Sequence, residues 1–144
     1  MIVNIYIDTD SVFPRSSEKS YGYVLECIIR ETPYTREGFG IMKGTYNEVT
    51  LTAAKEALNR INTRCEVHLF TRNSYVLDMI DRNLDKWAES GFIGANGQKI
   101  KSAELWREVY EASKDCNLVP EPGEHSYSRW IKEEIEKRKR GKTA

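Results

Sequence analysis

The change of hydrophobic period along the first eighty or so residues constrains the fold more than any other feature of this chain. Residues 2–7, Ile-Val-Asn-Ile-Tyr-Ile, form an apolar strand-like run that leads straight into Asp8-Thr9-Asp10-Ser11. Residues 11–20 are mostly polar, contain Pro14 and are expected to form a loop. Residues 21–29 are rich in aromatic and β-branched side chains and read as a second strand. Beyond a break at Thr32-Pro33, residues 36–46 give a third strand punctuated by Gly38, Gly40 and Gly44. Connections this short exclude parallel crossovers, so the three strands are expected to form an antiparallel meander.

The period then becomes helical. Leu51, Ala54, Leu58 and Ile61 share one face of a helix predicted over 47–62, with Asn47 as its cap. Residues 65–70 return to strand alternation, which leaves His68 half-buried. Tyr75, Val76, Met79 and Ile80 restore helical spacing, followed by a short segment at 84–87 and a loop through Gly91, Gly94 and Gly97. Leu105, Trp106, Val109 and Ala112 mark another amphipathic helix. The residues before it have capping-box spacing from Ser102 to Leu105, without the usual Glu at its end. Residues 117–120 form a brief last strand, and Tyr127, Trp130, Ile131 and Ile135 define a final helix that decays into charge. Trp106 and Trp130 are expected in the core. The order is βββαβα(α)αβα.

At 144 residues this is one domain, expected over 1–137 with a basic C-terminal tail at 138–144. Its 22 basic and 22 acidic side chains cancel, so no global field draws it to nucleic acid or to an anionic membrane. No apolar run approaches the length of a membrane span, and the N-terminus enters a strand rather than a signal peptide. The three cysteines, Cys27, Cys65 and Cys116, are too few and too scattered for a disulfide framework or a zinc knuckle. An odd count of buried-looking thiols fits a reducing compartment, so the expected location is cytoplasmic, with no membrane partner.

With its landmarks, this order resembles type I ribonuclease H from residue 2 to about residue 137. Residues 5–11 look like the family's first strand, and Asp8 matches its first catalytic aspartate. Tyr21-Gly22-Tyr23 looks like the start of the second strand. Leu51, Ala53 and Ala54 match the Leu-x-Ala-Ala signature of the catalytic helix. Thr71-Arg72-Asn73 stands where the family has Thr-Asp-Ser, before Tyr75-Val76. Trp87, Phe92, Ala95, Ile100, Lys101, Leu105 and Trp106 follow the spacing of the substrate-handle region and the helix after it. The resemblance implies an α/β, ribonuclease H-like fold: a five-stranded mixed sheet flanked by helices in βββαβαβα order. It also implies cleavage of the RNA strand of an RNA/DNA hybrid, using two magnesium or manganese ions roughly 3.5–4 Å apart.

Magnesium prefers several oxygen ligands, and here the expected acids are mostly replaced. Aligned on the helix signature, the second carboxylate falls on Thr50. The fourth-strand aspartate falls on Arg72, a permanent cation, and the last-helix aspartate falls near Arg129 or Trp130. A replacement cluster would draw on Asp8, Asp10 and Glu48 as metal ligands, with Glu124 nearby. Asp8, Glu48 and His125 would then be the catalytic groups. Alternatively, the Arg72 guanidinium neutralises Asp8 internally and takes the electrostatic place of a metal.

The handle residues Lys86, Trp87, Phe92, Lys99 and Lys101 are the candidate nucleic-acid contacts. The same rings could instead pack the short helix onto its neighbour. Three readings stay open. The first is a nucleic-acid-binding protein of the hybrid-ribonuclease lineage whose catalytic metal site has degraded, with an RNA/DNA hybrid or other duplex as partner. The second is an active metal-dependent endoribonuclease with a rebuilt carboxylate cluster. The third is a protein-interaction module on the same fold.

Overall fold

A computed structural model describes residues 1–143. Five strands, β1 (Ile2–Thr9), β2 (Ser17–Ile29), β3 (Thr32–Gly44), β4 (Glu66–Thr71) and β5 (Asn117–Pro122), form one sheet in the order β3-β2-β1-β4-β5. Pairing is antiparallel for β1 with β2 and for β2 with β3, and parallel for β1 with β4 and for β4 with β5. The helices are α1 (Tyr46–Leu58), α2 (Ser74–Arg82), α3 (Leu84–Glu89), α4 (Ala103–Ser113) and α5 (Ser128–Thr143). This is the mixed sheet that the sequence implies.

Alternating side chains divide the core between the two faces of the sheet. Val3, Ile5, Ile7, Tyr21, Tyr23, Val67 and Leu69 pack with Leu51, Ala54 and Leu58 of α1 and with Trp106 and Val109 of α4. On the other face, Tyr6 and Val24 pack with Ile131 and Ile135 of α5. Gly22, the register partner of Asp8, permits that approach, since a Cβ there would lie 2.6 Å from the Phe39 ring and 2.8 Å from Ile131 Cγ2. Trp106 is core as expected. Trp130 is not: it is 38% exposed, with its ring 6.0 Å from that of Phe39.

Several element boundaries differ from expectation. β2 begins at Ser17, inside the expected loop, because Lys19 is wholly buried and donates to Arg15 O, Ser17 Oγ and Gly44 O at 2.8, 2.8 and 2.7 Å. Three acceptors around one ammonium offset its desolvation and tie the loop after β1 to the start of α1. Thr32-Pro33 starts β3 rather than breaking the chain. Arg30 and Glu31, with φ of 51° and 69°, make the tight hairpin turn, and β3 is an edge strand, where proline is tolerated.

The cap of α1 is Thr45, not Asn47. Its Oγ1 accepts from Glu48 N at 3.1 Å, while Glu48 Oε1 accepts from Thr45 N at 2.8 Å. Ser102 sits in the left-handed region, with φ of 60°, and makes no side-chain cap bond. Residues 138–143 continue α5 rather than forming a tail: Arg138 stacks 4.0 Å from the Phe39 ring centroid, and Lys139 pairs with Asp10. Residue 144, the last of the expected tail, lies outside the described residues.

Candidate active site

The carboxyl ends of parallel strands are where α/β sheets place their ligand sites, because the chain leaves the sheet there and opens a crevice. β1 delivers Asp8 to that edge, and β4 delivers Arg72 immediately beyond Thr71. Arg72 Nη2 lies 3.5 Å from Asp8 Oδ1, and its Nη1 lies 3.8 Å from Glu124 Oε1. Thr9 N also donates to Asp8 Oδ1, at 3.1 Å. Asp8 is 5% exposed, and its Oδ2 is buried with no hydrogen-bond partner among the described residues. The acid matched by resemblance is therefore paired with the cation that replaced its neighbour.

Next to this pair, a neutral hydroxyl holds the position where the second carboxylate was expected. Thr50 is fully buried in α1; its hydroxyl donates to Tyr46 O at 2.9 Å and accepts from Asn73 Nδ2 at 3.0 Å. The same Asn73 amide donates to Asn47 Oδ1 at 3.0 Å, while Asn73 Oδ1 caps α2 by accepting from Val76 N at 3.1 Å. One amide thus ties the β4 end, α1 and the start of α2 together. Asn73 was readable as a helix cap, an Asn just before an apolar-periodic run, but not as the link to Thr50. Burial pushes the Tyr46 phenol above its usual range, with Arg72 opposing that shift and Asp8 adding to it.

The remaining candidates are each engaged separately. Glu48 is consumed by the capping box. Asp10 Oδ1 accepts from Ser20 N at 2.9 Å, and Asp10 Oδ2 pairs with Lys139. Glu124 is exposed and, among the described residues, reaches only Arg72.

His125 Nε2 donates to Ile7 O at 3.0 Å, and its Nδ1 accepts from Tyr127 N at 3.2 Å, which together define a neutral ring locked at both nitrogens. Burial holds its pKa below the usual imidazole value, although the Ile7 carbonyl works the other way. His125, a candidate catalytic group with Asp8 and Glu48, is thus held by the backbone at both ring nitrogens.

On α5, neither Arg129 nor Trp130 reaches the site. Arg129 pairs along the helix with Glu133 at 3.1 Å, and Trp130 lies on Phe39. It is Lys132 that lines a shallow cleft of about 320 Å³ with Thr9, Asp10, Ser11, Val12, Arg72 and Glu136. The sequence carried no signal for Lys132, because its placement follows from the packing of Ile131 and Ile135 of α5 on the sheet.

The donor set does not fit a pair of divalent ions. One buried carboxylate is present, with a guanidinium beside it, and the helix position offers a hydroxyl whose proton is committed to Tyr46 O. Among the described residues no group of three His, Cys, Asp or Glu side chains could hold a metal ion. Replacement of the metal pair by Asp8, Asp10 and Glu48 is thus at odds with where those side chains are held.

In the handle, Lys86 and Lys101 are exposed, and Lys99 lies 4.0 Å from Glu104. Trp87 is half-buried, edge-on to Trp106 at 5.2 Å. Phe92 is 3% exposed and covered by Arg107, whose guanidinium carbon is 5.1 Å from the ring centroid. Of the two readings of this ring, the burial of Phe92 matches packing rather than base stacking.

Residues 2–120 match the family model for RNase H. Ribonuclease H of Campylobacter curvus is 37% identical over 79 residues, covering 55% of this chain and 53% of that protein. The match spans about half the length of that curated relative. Among solved structures, the fold is similar to LC9-RNase H1, described as a type 1 RNase H with the type 2 active-site motif. The TM-score is 0.70 at 20% identity, over 92% of this chain and 69% of that one. It is also similar to a foamy viral protease-reverse transcriptase in complex with RNA/DNA hybrid, with a TM-score of 0.62 at 18% identity, over 84% of this chain and 17% of that one. The family match stops short of the segment carrying Glu124, His125 and Lys132.

Proposed function

Because the chain belongs to the ribonuclease H family, we propose that it is a nucleic-acid-binding member whose own side chains have closed the hydrolytic metal site. The observation that carries this reading is Arg72 beside the buried Asp8, where the family's chemistry calls for the fourth-strand aspartate. A guanidinium at that distance offsets the charge of the aspartate and repels a dication from the remaining space. Thr50 and Asn73 complete the closure with neutral hydrogen bonds that need no ion.

The substrate class under this reading is an RNA/DNA hybrid or another duplex, as the foamy viral neighbour in complex with RNA/DNA hybrid suggests. Exposed Lys86, Lys99 and Lys101, with Arg107 alongside, would contact phosphates, and the exposed part of Trp87 would lie against the sugar edge. With no net charge overall, affinity should be modest and strongly salt-sensitive. No helix among the described residues is long and apolar enough to cross a membrane, and a cytoplasmic location is part of the proposal.

The test is a hybrid duplex assayed for binding and for cleavage in the presence of magnesium or manganese. We expect retained binding in chelator and no cleavage beside an active relative. Magnesium-dependent cleavage stopped by Asp8→Asn would establish the enzyme reading instead. Absence of binding to any duplex at low salt would leave the interaction-module reading.

A further inference from the structure

Three cysteines distant in sequence are brought to the same end of the sheet by its topology. Cys65 directly precedes β4, and Cys116 directly precedes β5. These strands run parallel, with Glu66 opposite Asn117, so the two cysteines are next in register, and Asn117 N donates to Cys65 O at 3.1 Å. Their sulfurs are 3.7 Å apart, and both thiols are free. Adjacent parallel positions have the Cα separation that a disulfide requires, so closing the remaining gap needs side-chain rotation rather than backbone movement.

We propose that Cys65 and Cys116 are a site of oxidative modification, an internal dithiol that hydrogen peroxide converts to a disulfide. Cys65 is buried and Cys116 is partly exposed, so the oxidant reaches Cys116 first. The Cys116 thiolate attacks one peroxide oxygen; an S–O bond forms, the O–O bond breaks, and hydroxide leaves and is protonated to water. The Cys65 thiol then gives its proton to solvent, and its sulfur attacks the Cys116 sulfur. The S–S bond forms, and the sulfenic oxygen leaves as hydroxide, which takes up a proton. Two thiols and one peroxide thus give one disulfide and two waters.

Burial and the neighbouring sulfur push the Cys65 thiol up to about 11, which keeps it protonated and unreactive until the sulfenic acid is beside it. The product clamps β5 to β4 at the end opposite Arg72. It also closes the long loop that holds α2, α3 and α4.

The experiment uses the full chain, reduced and then treated with hydrogen peroxide, with free thiols alkylated in denaturant. Before alkylation we expect an intact mass about 2 Da below that of the reduced chain, and after it alkylation at Cys27 alone and a linked peptide joining residues 65 and 116. The melting temperature should rise by roughly 5 °C or more, and fall back on reduction. Cys27→Ser should behave as wild type, Cys65→Ser should gain oxygen at Cys116 or form intermolecular adducts instead, and Cys116→Ser should leave Cys65 a free, alkylatable thiol. Peptide mapping of the wild type decides the matter even if a serine variant folds poorly. Peroxide-treated wild type that gains oxygen without losing the two thiols, or that links Cys27 to either, overturns the proposal.

Discussion

Arg72 Nη2 and Asp8 Oδ1 face each other at 3.5 Å across the ends of two adjacent parallel strands. The pair is unequal in burial. Side-chain exposure is 4% for Asp8 but 34% for Arg72, so the acid depends on the cation more than the cation depends on the acid. Breaking such a pair from the exposed side leaves an uncompensated buried charge, which costs more than the pair itself contributes.

Arg72→Ala should therefore destabilise the fold by about 1–3 kcal/mol, the penalty range for an unsatisfied buried acceptor. Adding Asp8→Asn should recover part of that loss, since the neutral amide no longer needs a counter-charge. Urea unfolding of the two single variants and the double variant measures the coupling. Additive losses would mean that the pair is not energetically linked.

Divalent metal should leave the melting temperature of the wild type nearly unchanged at millimolar concentration, because stabilisation follows the affinity of the native site. The double variant Thr50→Glu/Arg72→Asp restores two acids, and adding Lys132→Asp removes the cation that faces the same cleft. Magnesium should raise the melting temperature of the triple variant by more than it raises that of the double. A metal-dependent rise already present in the wild type and absent from Asp8→Asn would contradict the closed site.

Asn73→Ala removes the α2 cap and strips Thr50 and Asn47 of a donor. We expect a loss of about 2 kcal/mol, from the cap and from newly unpaired buried groups. Asn73→Asp keeps the cap oxygen but not the donors, so its loss isolates the link to α1. Equal stability of Asn73→Ala and wild type would show that the link is incidental.

Two histidines should give the stability profile a maximum near the ordinary imidazole pKa of about 6.5. His68 is clasped by Glu121 at 2.8 Å and by Glu66 at 2.7 Å, and these hydrogen bonds raise its folded pKa. Its contribution is fully present below the unfolded value and is lost as pH rises through the folded one. His125 is shifted down by burial, so its contribution is present above the unfolded value and is lost as pH falls through the folded one. His68→Gln should flatten the alkaline side alone, and His125→Asn should change the acid side; chemical denaturation from pH 5 to 8 checks both.

The element types were legible from local chemistry. Alternation in 2–7 and the three-and-four spacing of Leu51, Ala54 and Leu58 are properties of neighbouring residues, and short connections required the antiparallel meander. The loss of acids at Thr50 and Arg72 was equally visible, because a resemblance aligns single positions.

Beyond Asp8, Thr50 and Arg72, membership of the site was not legible, for a physical reason. Glu48 has the right charge and lies near the right helix, but the Thr45 amide claims its carboxylate first. Phe92 has the right spacing for a handle, but tertiary packing buries it. Lys132 enters the cleft because Ile131 and Ile135 seat α5 on the sheet, and Cys65 meets Cys116 through parallel register across a gap of 51 residues. Hydrophobic period is set within a few residues along the chain. Competition for hydrogen-bond partners and for interior volume is settled only when distant segments meet, so the tertiary structure alone decided which side chains remain free to act.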